Sequence, residues 1–288
     1  MRFAFFLIVV SLSINQSVYS QDHQDRQLLI YNTVFGGLTA GIGAVINKPK
    51  GSSWRRAFVK AAWQGSVGGL INYTSKKTLC LINKNAQPAW AWPANILHYA
   101  GLSIIENAAL TKPFLQNLYY EFGPVRFDFS INGKRPFGAS LLPESIFAAY
   151  MCSLAASFSL KYTLQTGHLI FQNKGIITIT TSNGESVLGF SYGRSIAVGA
   201  EWYNTVNAVL AHEIGHQFQY SEYQVFNTWL KPLEKKVKSE TLQTLFTKYI
   251  YFDVPYFWAP YYIQGTTNYK NFFEFEAQRF ATNAYVPR

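Results

Sequence analysis

Five consecutive residues in the last third of the chain have the types and spacing of a metal site: His212-Glu213-Ile214-Gly215-His216. Residues four apart lie on one face of a helix, so His212 and His216 can bind the same metal ion. Glu213 is rotated by about 100° from His212. Its carboxylate then lies beside the metal, within reach of a proton on bound water. The pattern predicts a hydrolytic zinc site on a helix.

The sequence around the motif favours that helix. Apolar residues recur at every fourth position: Val206, Leu210, Ile214 and Phe218. They form a stripe that suits burial against a core. His212 is rotated by about 160° from this stripe. One face of the helix can therefore pack on the core while the opposite face lines a cleft.

A catalytic zinc site needs a third protein ligand and one position left open for water. Two glutamates compete for this role in the segment Asn271–Ala281. Asn271 and Glu274 have the spacing of a capping box, which gives Glu274 a structural task. Glu276 is then free to face the metal, and we predict it as the third ligand. The alternative for Glu276 is a surface ion pair with Arg279, three positions later.

The motif together with the later glutamate resembles known families. HExxH followed by Glu276-Ala277 on a second helix resembles the gluzincin metallopeptidases, the thermolysin-type zinc enzymes. The segment from Glu276 to Ala281 is also similar to the Glu-Ala-x-x-Phe-Ala signature of ImmA/IrrE-type metallopeptidases. The resemblance implies His212, His216 and Glu276 as zinc ligands, Glu213 as general base, and a peptide or protein as substrate.

The chain departs from those families in two ways. The stretch between His216 and Glu276 is longer than either family has. Thermolysin-type enzymes carry an acidic residue four positions after the ligand glutamate, where this chain has Phe280. We therefore expect another group to orient the metal-binding histidines.

Residues 249–263 lie between the motif and the predicted third ligand and contain eight aromatic residues and two prolines. The prolines prevent a regular central strand or a continuous helix. The sequence leaves open whether the segment is a packed lid beside the cleft or a membrane-facing surface. Asp253 is a minor alternative ligand, and the phenols that could lie near the metal are Tyr251, Tyr256, Tyr261 and Tyr262.

The formal charge of +10 is concentrated in one segment. Nine basic residues and no carboxylate lie between Asp25 and Glu106, whereas 15 basic and 13 acidic residues follow from Glu106 onward. This asymmetry argues against a nucleic-acid-binding protein. With Trp54, Trp63 and two further tryptophans, the segment suits an anionic lipid surface, which predicts peripheral membrane association through residues 26–105. The alternative is an ordinary helical pair packed on the metal-binding part.

The first twenty residues have the proportions of a signal peptide. Arg2 is followed by the largely apolar run Phe3–Ile14, and Ser20 ends a site suited to cleavage. We expect an exported protein, in the periplasm, in the outer envelope or secreted; the alternative is an uncut anchor. Export permits a disulfide between Cys80 and Cys152, although their apolar surroundings fit two buried thiols equally well.

The remaining pattern predicts an α+β fold in which a zincin-like region, 117–288, follows a basic, Gly-rich helical region, 21–116. Glycines four apart in the helical region allow close helix packing, and no segment has 18 clean apolar residues for a membrane span. The predicted helices are 29–47, 57–77 and 94–110, and the sequence leaves open whether 144–158 includes a further one. The predicted strands, mostly antiparallel, are 120–122, 125–129, 158–162, 169–172, 176–181, 187–192 and 195–198.

Two functions follow from the sequence. The first is an exported zinc metallopeptidase. The alternative is a non-catalytic envelope or membrane-surface protein with a structural or vestigial metal site.

Overall fold

The structure is a computed structural model. It describes residues 23–131, 133, 136–172, 189–199, 206–234, 236, 239–245, 249–251, 254, 256–264 and 271–283. The predicted signal peptide, the predicted strand 176–181 and the alternative ligand Asp253 lie outside these residues. Within them the fold is α+β, as predicted, with one antiparallel sheet and one mixed sheet. The finer prediction of a zincin-like fold stays a prediction.

Three long helices form the N-terminal part: α1 (His23–Asn47), α2 (Trp54–Thr78) and α4 (Ala91–Ala109), with the short α3 (Cys80–Lys84) between the last two. All three predicted helices are present, and each begins several residues before its predicted start. Glycines allow α1 and α2 to touch through their backbones. A Cβ on Gly36 would lie 2.5 Å from the Gly65 carbonyl oxygen, and one on Gly69 would lie 2.1 Å from that of Asn32. The prediction of close packing through small residues is confirmed.

The first sheet is an antiparallel meander of β1 (Asn117–Phe122), β2 (Val125–Ser130) and β3 (Phe137–Leu141). The first two strands were predicted, and the third was not. The predicted boundary between the two regions falls in the loop between α4 and β1. Buried Arg126 on β2 crosses that boundary, because it donates two hydrogen bonds, of 3.1 and 2.8 Å, to the Glu106 carboxylate on α4.

The second sheet has the strand order β4-β5-β7-β6. Its strands are β4 (Ser157–Phe158), β5 (Leu169–Gln172), β6 (Gly189–Tyr192) and β7 (Ser195–Val198). The β5–β7 pair is parallel, and the other pairs are antiparallel. Helix α5 (Pro143–Ala155) precedes β4, in the segment where the sequence allowed a helix.

The predicted strand 158–162 is wrong beyond its first residue. After Phe158 the chain turns into helix α6 (Leu160–Thr166), which Gly167 ends in the left-handed conformation with φ of 74°. Over so few residues an alternating pattern does not distinguish a strand from a short helix, and this segment forms the helix.

The motif helix is α7 (Val206–Gln224). The predicted stripe is confirmed, since Leu210, Ile214 and Phe218 are buried in the main core. A 3-10 segment (Val225–Leu230) and the short helices α8 (Lys231–Glu234), α9 (Glu240–Thr244) and α10 (Trp258–Ile263) follow. Helix α11 (Phe272–Thr282) packs across α7 where Gly215 faces Ala277; a Cβ on Gly215 would lie 3.3 Å from the Ala277 Cα.

Helix α1 is long and apolar enough to cross a membrane by length and composition, with a mean hydropathy of 1.6 over its best 18-residue window. This differs from the expectation that no segment is apolar enough to span a membrane, because the few polar residues within α1 do not offset its many apolar ones. In the structure 44% of that window is buried by the rest of the protein.

Both cysteines are free thiols. Cys152 is buried and Cys80 is partly buried, so of the two alternatives the structure has separate thiols.

Candidate metal centre

Three side chains converge at the position of the predicted metal site. His212 and His216 come from α7, and Glu274 comes from the first turn of α11. The two Nε2 atoms are 3.0 Å apart. One oxygen of Glu274 is 3.3 Å from Nε2 of His212, and the other is 3.4 Å from Nε2 of His216. One nitrogen from each ring and one carboxylate oxygen thus face a common point.

The acidic side chain that completes the group with the two histidines is Glu274, not the predicted Glu276. Residues two apart on a helix point about 200° from each other, so only one of the two can face the histidines. Asn271 does cap α11, since its side chain accepts a 2.8 Å hydrogen bond from the Phe273 amide. That cap leaves the Glu274 side chain directed at the cleft, where it also accepts a hydrogen bond of 2.5 Å from the Tyr261 hydroxyl.

Glu276 lies on the buried side of α11 and is 1% exposed. The Glu-Ala-x-x-Phe-Ala segment therefore begins at a glutamate that is not beside the histidines. Phe280, four residues later on the same side, is also buried and packs edge-on against Tyr73. The predicted alternative for Glu276, a surface pair with Arg279, is wrong as well, because both side chains are buried.

Two glutamines orient the histidine rings. The Gln278 side-chain oxygen is 3.2 Å from Nδ1 of His212, and the Gln219 side-chain oxygen is 2.9 Å from Nδ1 of His216. An amide oxygen accepts hydrogen bonds, so each Nδ1 carries a proton, and a metal ion at the common point would be bound by the Nε2 lone pairs.

These glutamines were not predicted from the sequence, although a spacing signal exists. Gln219 follows His216 by three residues. Gln278 follows Glu274 by four, which is the separation at which thermolysin-type enzymes place an acidic residue after the ligand glutamate. When Glu276 is taken as the ligand, the residue four positions later is Phe280, so this spacing does not point to Gln278.

A buried charged cluster lies behind the histidines. The Lys76 ammonium on α2 donates to Glu222 at 2.8 Å, to Glu276 at 2.9 Å and to the side-chain oxygen of Asn32 at 3.0 Å. Lys76, Glu222 and Glu276 are each at most 2% exposed. The other oxygen of Glu276 accepts a 2.9 Å hydrogen bond from the Gln219 amide.

A continuous path of hydrogen bonds therefore runs from Lys76 through Glu276 and Gln219 to His216. Helices α1 and α2 contribute Asn32 and Lys76 to this path, so the N-terminal helices support the metal centre directly. Sequence reasoning missed Lys76, because nothing local marks a lysine in a basic segment as buried.

Burial and neighbouring charges shift the pKa values of Glu274, His216 and Glu222. Burial raises the pKa of Glu274, but the imidazoles of His216 and His212 outweigh burial and hold it well below its ordinary value. Burial lowers the pKa of His216, and the Glu274 carboxylate reverses this and raises it to about 9. Burial raises the pKa of Glu222 to about 7 against the opposing effect of Lys76.

Glu213 lies beside the ligand face of α7 and is 5% exposed. Burial raises its pKa, and the two histidines offset this only in part. Strand β6 passes next to it: a Cβ on Gly189 would lie 3.2 Å from the Glu213 Cγ. In the described part of the chain β6 is the outer strand of its sheet, so the base candidate lies beside a sheet edge.

One of the four candidate phenols reaches the centre. Tyr261 on α10 contacts Glu274 through its hydroxyl, and its ring lies 6.0 Å from that of His216. Tyr251 lies over Arg126 instead, at 4.0 Å, and Tyr262 is exposed. Around Tyr261 the aromatic segment packs on α7 and α11 through buried Phe257, which favours the packed-lid alternative over a membrane-facing surface.

The three other histidines, which the sequence isolates from the motif, lie outside the site. His98 stacks on Phe218 at 4.0 Å, and His168 bonds the Asn95 side chain at 2.7 Å. Burial lowers the pKa of both. His23 is exposed at the start of α1.

Comparison with known proteins gives no relative: no family model, no curated protein and no solved structure matches this chain.

Proposed function

We propose that this protein is an exported zinc-dependent hydrolase, and specifically a metallopeptidase. The observation that supports it most is the spacing of the three donors. Donors held 2.0–2.1 Å from zinc at tetrahedral angles are about 3.3–3.4 Å apart. In the structure the two Nε2 atoms are 3.0 Å apart, one Glu274 oxygen is 3.3 Å from Nε2 of His212, and the other is 3.4 Å from Nε2 of His216. With one ligand atom taken from each residue, the three atoms lie within 4.8 Å of one another.

The donor chemistry also fits zinc. Two neutral imidazoles and one carboxylate are the ligand set of thermolysin-like catalytic sites, and they leave one position open. Ions that prefer all-oxygen sites, such as calcium and magnesium, fit this set poorly. When bound, zinc supplies a Lewis acid and lowers the pKa of its water to about 7.

Within this proposal His212, His216 and Glu274 hold the metal, and Gln278 and Gln219 keep both imidazoles in the required tautomer. Glu213 is the general base. It accepts a proton from the attacking water and returns it to the leaving amine. Its buried position favours this task, because a carboxylate with a raised pKa holds a transferred proton more readily.

A peptide is the substrate class that the surroundings of Glu213 favour. An extended peptide can align along a sheet edge through main-chain hydrogen bonds. Strand β6 (Gly189–Tyr192) supplies such an edge beside Glu213. A peptide paired with β6 would lie near the strand residue Gly189, which adjoins Glu213.

The test compares wild type with Glu213→Gln and with the control Glu234→Gln on α8. Zinc content is measured by mass spectrometry, and hydrolysis is measured on a mixed peptide library. Loss of a general base lowers the rate by about 10²–10⁴-fold. We expect Glu213→Gln to keep zinc and lose activity by that factor, and Glu234→Gln to keep both.

Unchanged hydrolysis in Glu213→Gln would refute the peptidase. Bound zinc without hydrolysis in the wild type would instead support the alternative, a non-catalytic envelope protein with a structural metal. Absence of zinc from protein purified without chelators would refute the zinc hydrolase and leave the alternative only in its vestigial form.

A further inference from the structure

Helix α1 presents an unusual apolar stripe to solvent. Five large aliphatic side chains recur at every fourth residue, and each is between 40 and 55% exposed: Ile30, Val34, Leu38, Ile42 and Ile46. At 1.5 Å per residue the stripe is about 24 Å long. An exposed apolar surface of this length marks an interaction site.

The opposite side of α1 is already occupied. Gly36 and Gly37 contact α2, and Gly43 contacts Ala109 of α4 and Trp229. Asn32 donates to Glu276 and accepts from Lys76 in the buried cluster. If α1 crossed a bilayer it would bring that charged cluster into the hydrocarbon with it, at high cost. The stripe is therefore suited to lie on a membrane surface and not to span it.

The turn between α1 and α2 adds positive charge and tryptophan. Lys50, Arg55, Arg56 and Lys60 are exposed. Trp54 is 56% exposed, with the Arg55 guanidinium 5.5 Å from its ring, and Trp63 is 74% exposed. Tryptophan and basic residues beside an apolar helix face are typical of elements that lie among anionic headgroups.

Charge also decides between the two simplest occupants of this surface. If the stripes of two copies paired near the α1–α2 turn, the two basic turns would lie close together, and like charges repel. An anionic bilayer complements both the apolar stripe and the basic turn. We propose that the α1 stripe and the α1–α2 turn bind the surface of an anionic membrane, with α1 parallel to the bilayer plane.

The experiment uses the full chain and vesicles of phosphatidylcholine, with or without phosphatidylglycerol, in co-sedimentation at low and high salt. The first twenty residues are common to all variants, so differences in binding between variants come from the α1 stripe and the α1–α2 turn. Each basic residue near an anionic surface contributes roughly a fivefold gain in partitioning. We expect Arg55→Gln/Arg56→Gln to weaken binding to anionic vesicles by roughly 25-fold.

The matched control is Lys84→Gln/Lys161→Gln, which removes the same charge from exposed positions away from the turn. It should bind within about twofold of wild type. Leu38→Ser/Ile42→Ser removes the centre of the stripe and should weaken binding while the far-UV circular dichroism spectrum stays that of wild type. An unchanged spectrum shows that the variants are folded, so the result does not depend on whether the protein binds zinc.

Four results would overturn the proposal. The first is equal binding to neutral and anionic vesicles at low salt, and the second is equal loss in the turn and control variants. The third is protein that resists extraction by alkaline carbonate, which indicates a membrane span. The fourth is protein that dimerises through the stripe without binding vesicles, which indicates a second copy as the occupant.

Discussion

Lys76 gives the sharpest test of how the N-terminal helices support the metal centre. Lys76→Met keeps the length of the side chain and removes its charge. The variant leaves Glu222 and Glu276, at most 2% exposed, without the ammonium that lies 2.8 and 2.9 Å from their oxygens. Removal of one partner from a buried ion pair costs about 3–5 kcal/mol. That is a large fraction of the roughly 5–15 kcal/mol that stabilises a typical domain.

The loss should depend on pH, and its sign can be derived. Burial already raises the pKa of Glu222 to about 7 in the presence of Lys76, above the ordinary glutamate value of 4.5. The folded state therefore binds more protons than the unfolded state between these values, and stability falls as pH rises through that window. Without Lys76 the carboxylates favour protonation more strongly, so Lys76→Met should lose more stability at pH 8 than at pH 5.5.

The assay is urea denaturation of wild type, Lys76→Met and the control Lys77→Met at both pH values. Lys77 pairs with Asp25 and is 27% exposed, so its loss should cost about 1 kcal/mol or less. Adding Glu222→Gln to Lys76→Met should recover part of the lost stability, because it removes one of the two unpaired charges. If Lys76→Met costs no more than Lys77→Met, or costs the same at both pH values, the buried cluster does not have the energetic role inferred from its geometry.

Two further predictions concern the metal ligands. Glu274→Gln should lower zinc affinity, measured by competition with a chromogenic chelator, by more than the 10–100-fold typical of lost hydrogen-bond partners, whereas Glu276→Gln should retain zinc. The reverse order would restore Glu276 as the ligand. Gln278→Ala should lower zinc affinity by about 10–100-fold, because His212 loses the acceptor that fixes its tautomer, while Gln87→Ala at an exposed position serves as the control. Equal affinities in these two variants would show that the Gln278 contact does not orient His212.

The histidine pair and its helix could be predicted because their signal is local. His212 and His216 need only i, i+4 spacing, and the stripe through Leu210 and Ile214 follows the same helical period. Strands 169–172 and 195–198 were also predicted with the correct bounds, since short β-prone runs between turn residues are read without reference to the rest of the chain.

Which glutamate lies beside the two histidines could not be predicted in the same way. The sequence offered Glu274 and Glu276 two positions apart, and the capping pattern assigned Glu274 to the backbone. What separates them in the structure is Lys76, 200 positions away from Glu276 in sequence, which holds Glu276 on the buried side. Packing partners at such separations leave no periodic trace in a single sequence.

The hydrogen bond from Asn32 to Glu276 joins residues 244 positions apart, so the two ends of the described chain meet directly behind the metal centre. Closing so long a segment costs conformational entropy before the contacts between its ends can offset that cost. Contacts between residues so far apart in sequence therefore tend to form slowly. Helix α11 carries both Glu274 and Glu276, so its docking on α1 and α2 brings Glu274 to the histidines and Glu276 to the buried cluster in the same step. A chain in which α11 has not docked has the two histidines without Glu274, so the candidate site depends on this long-range closure.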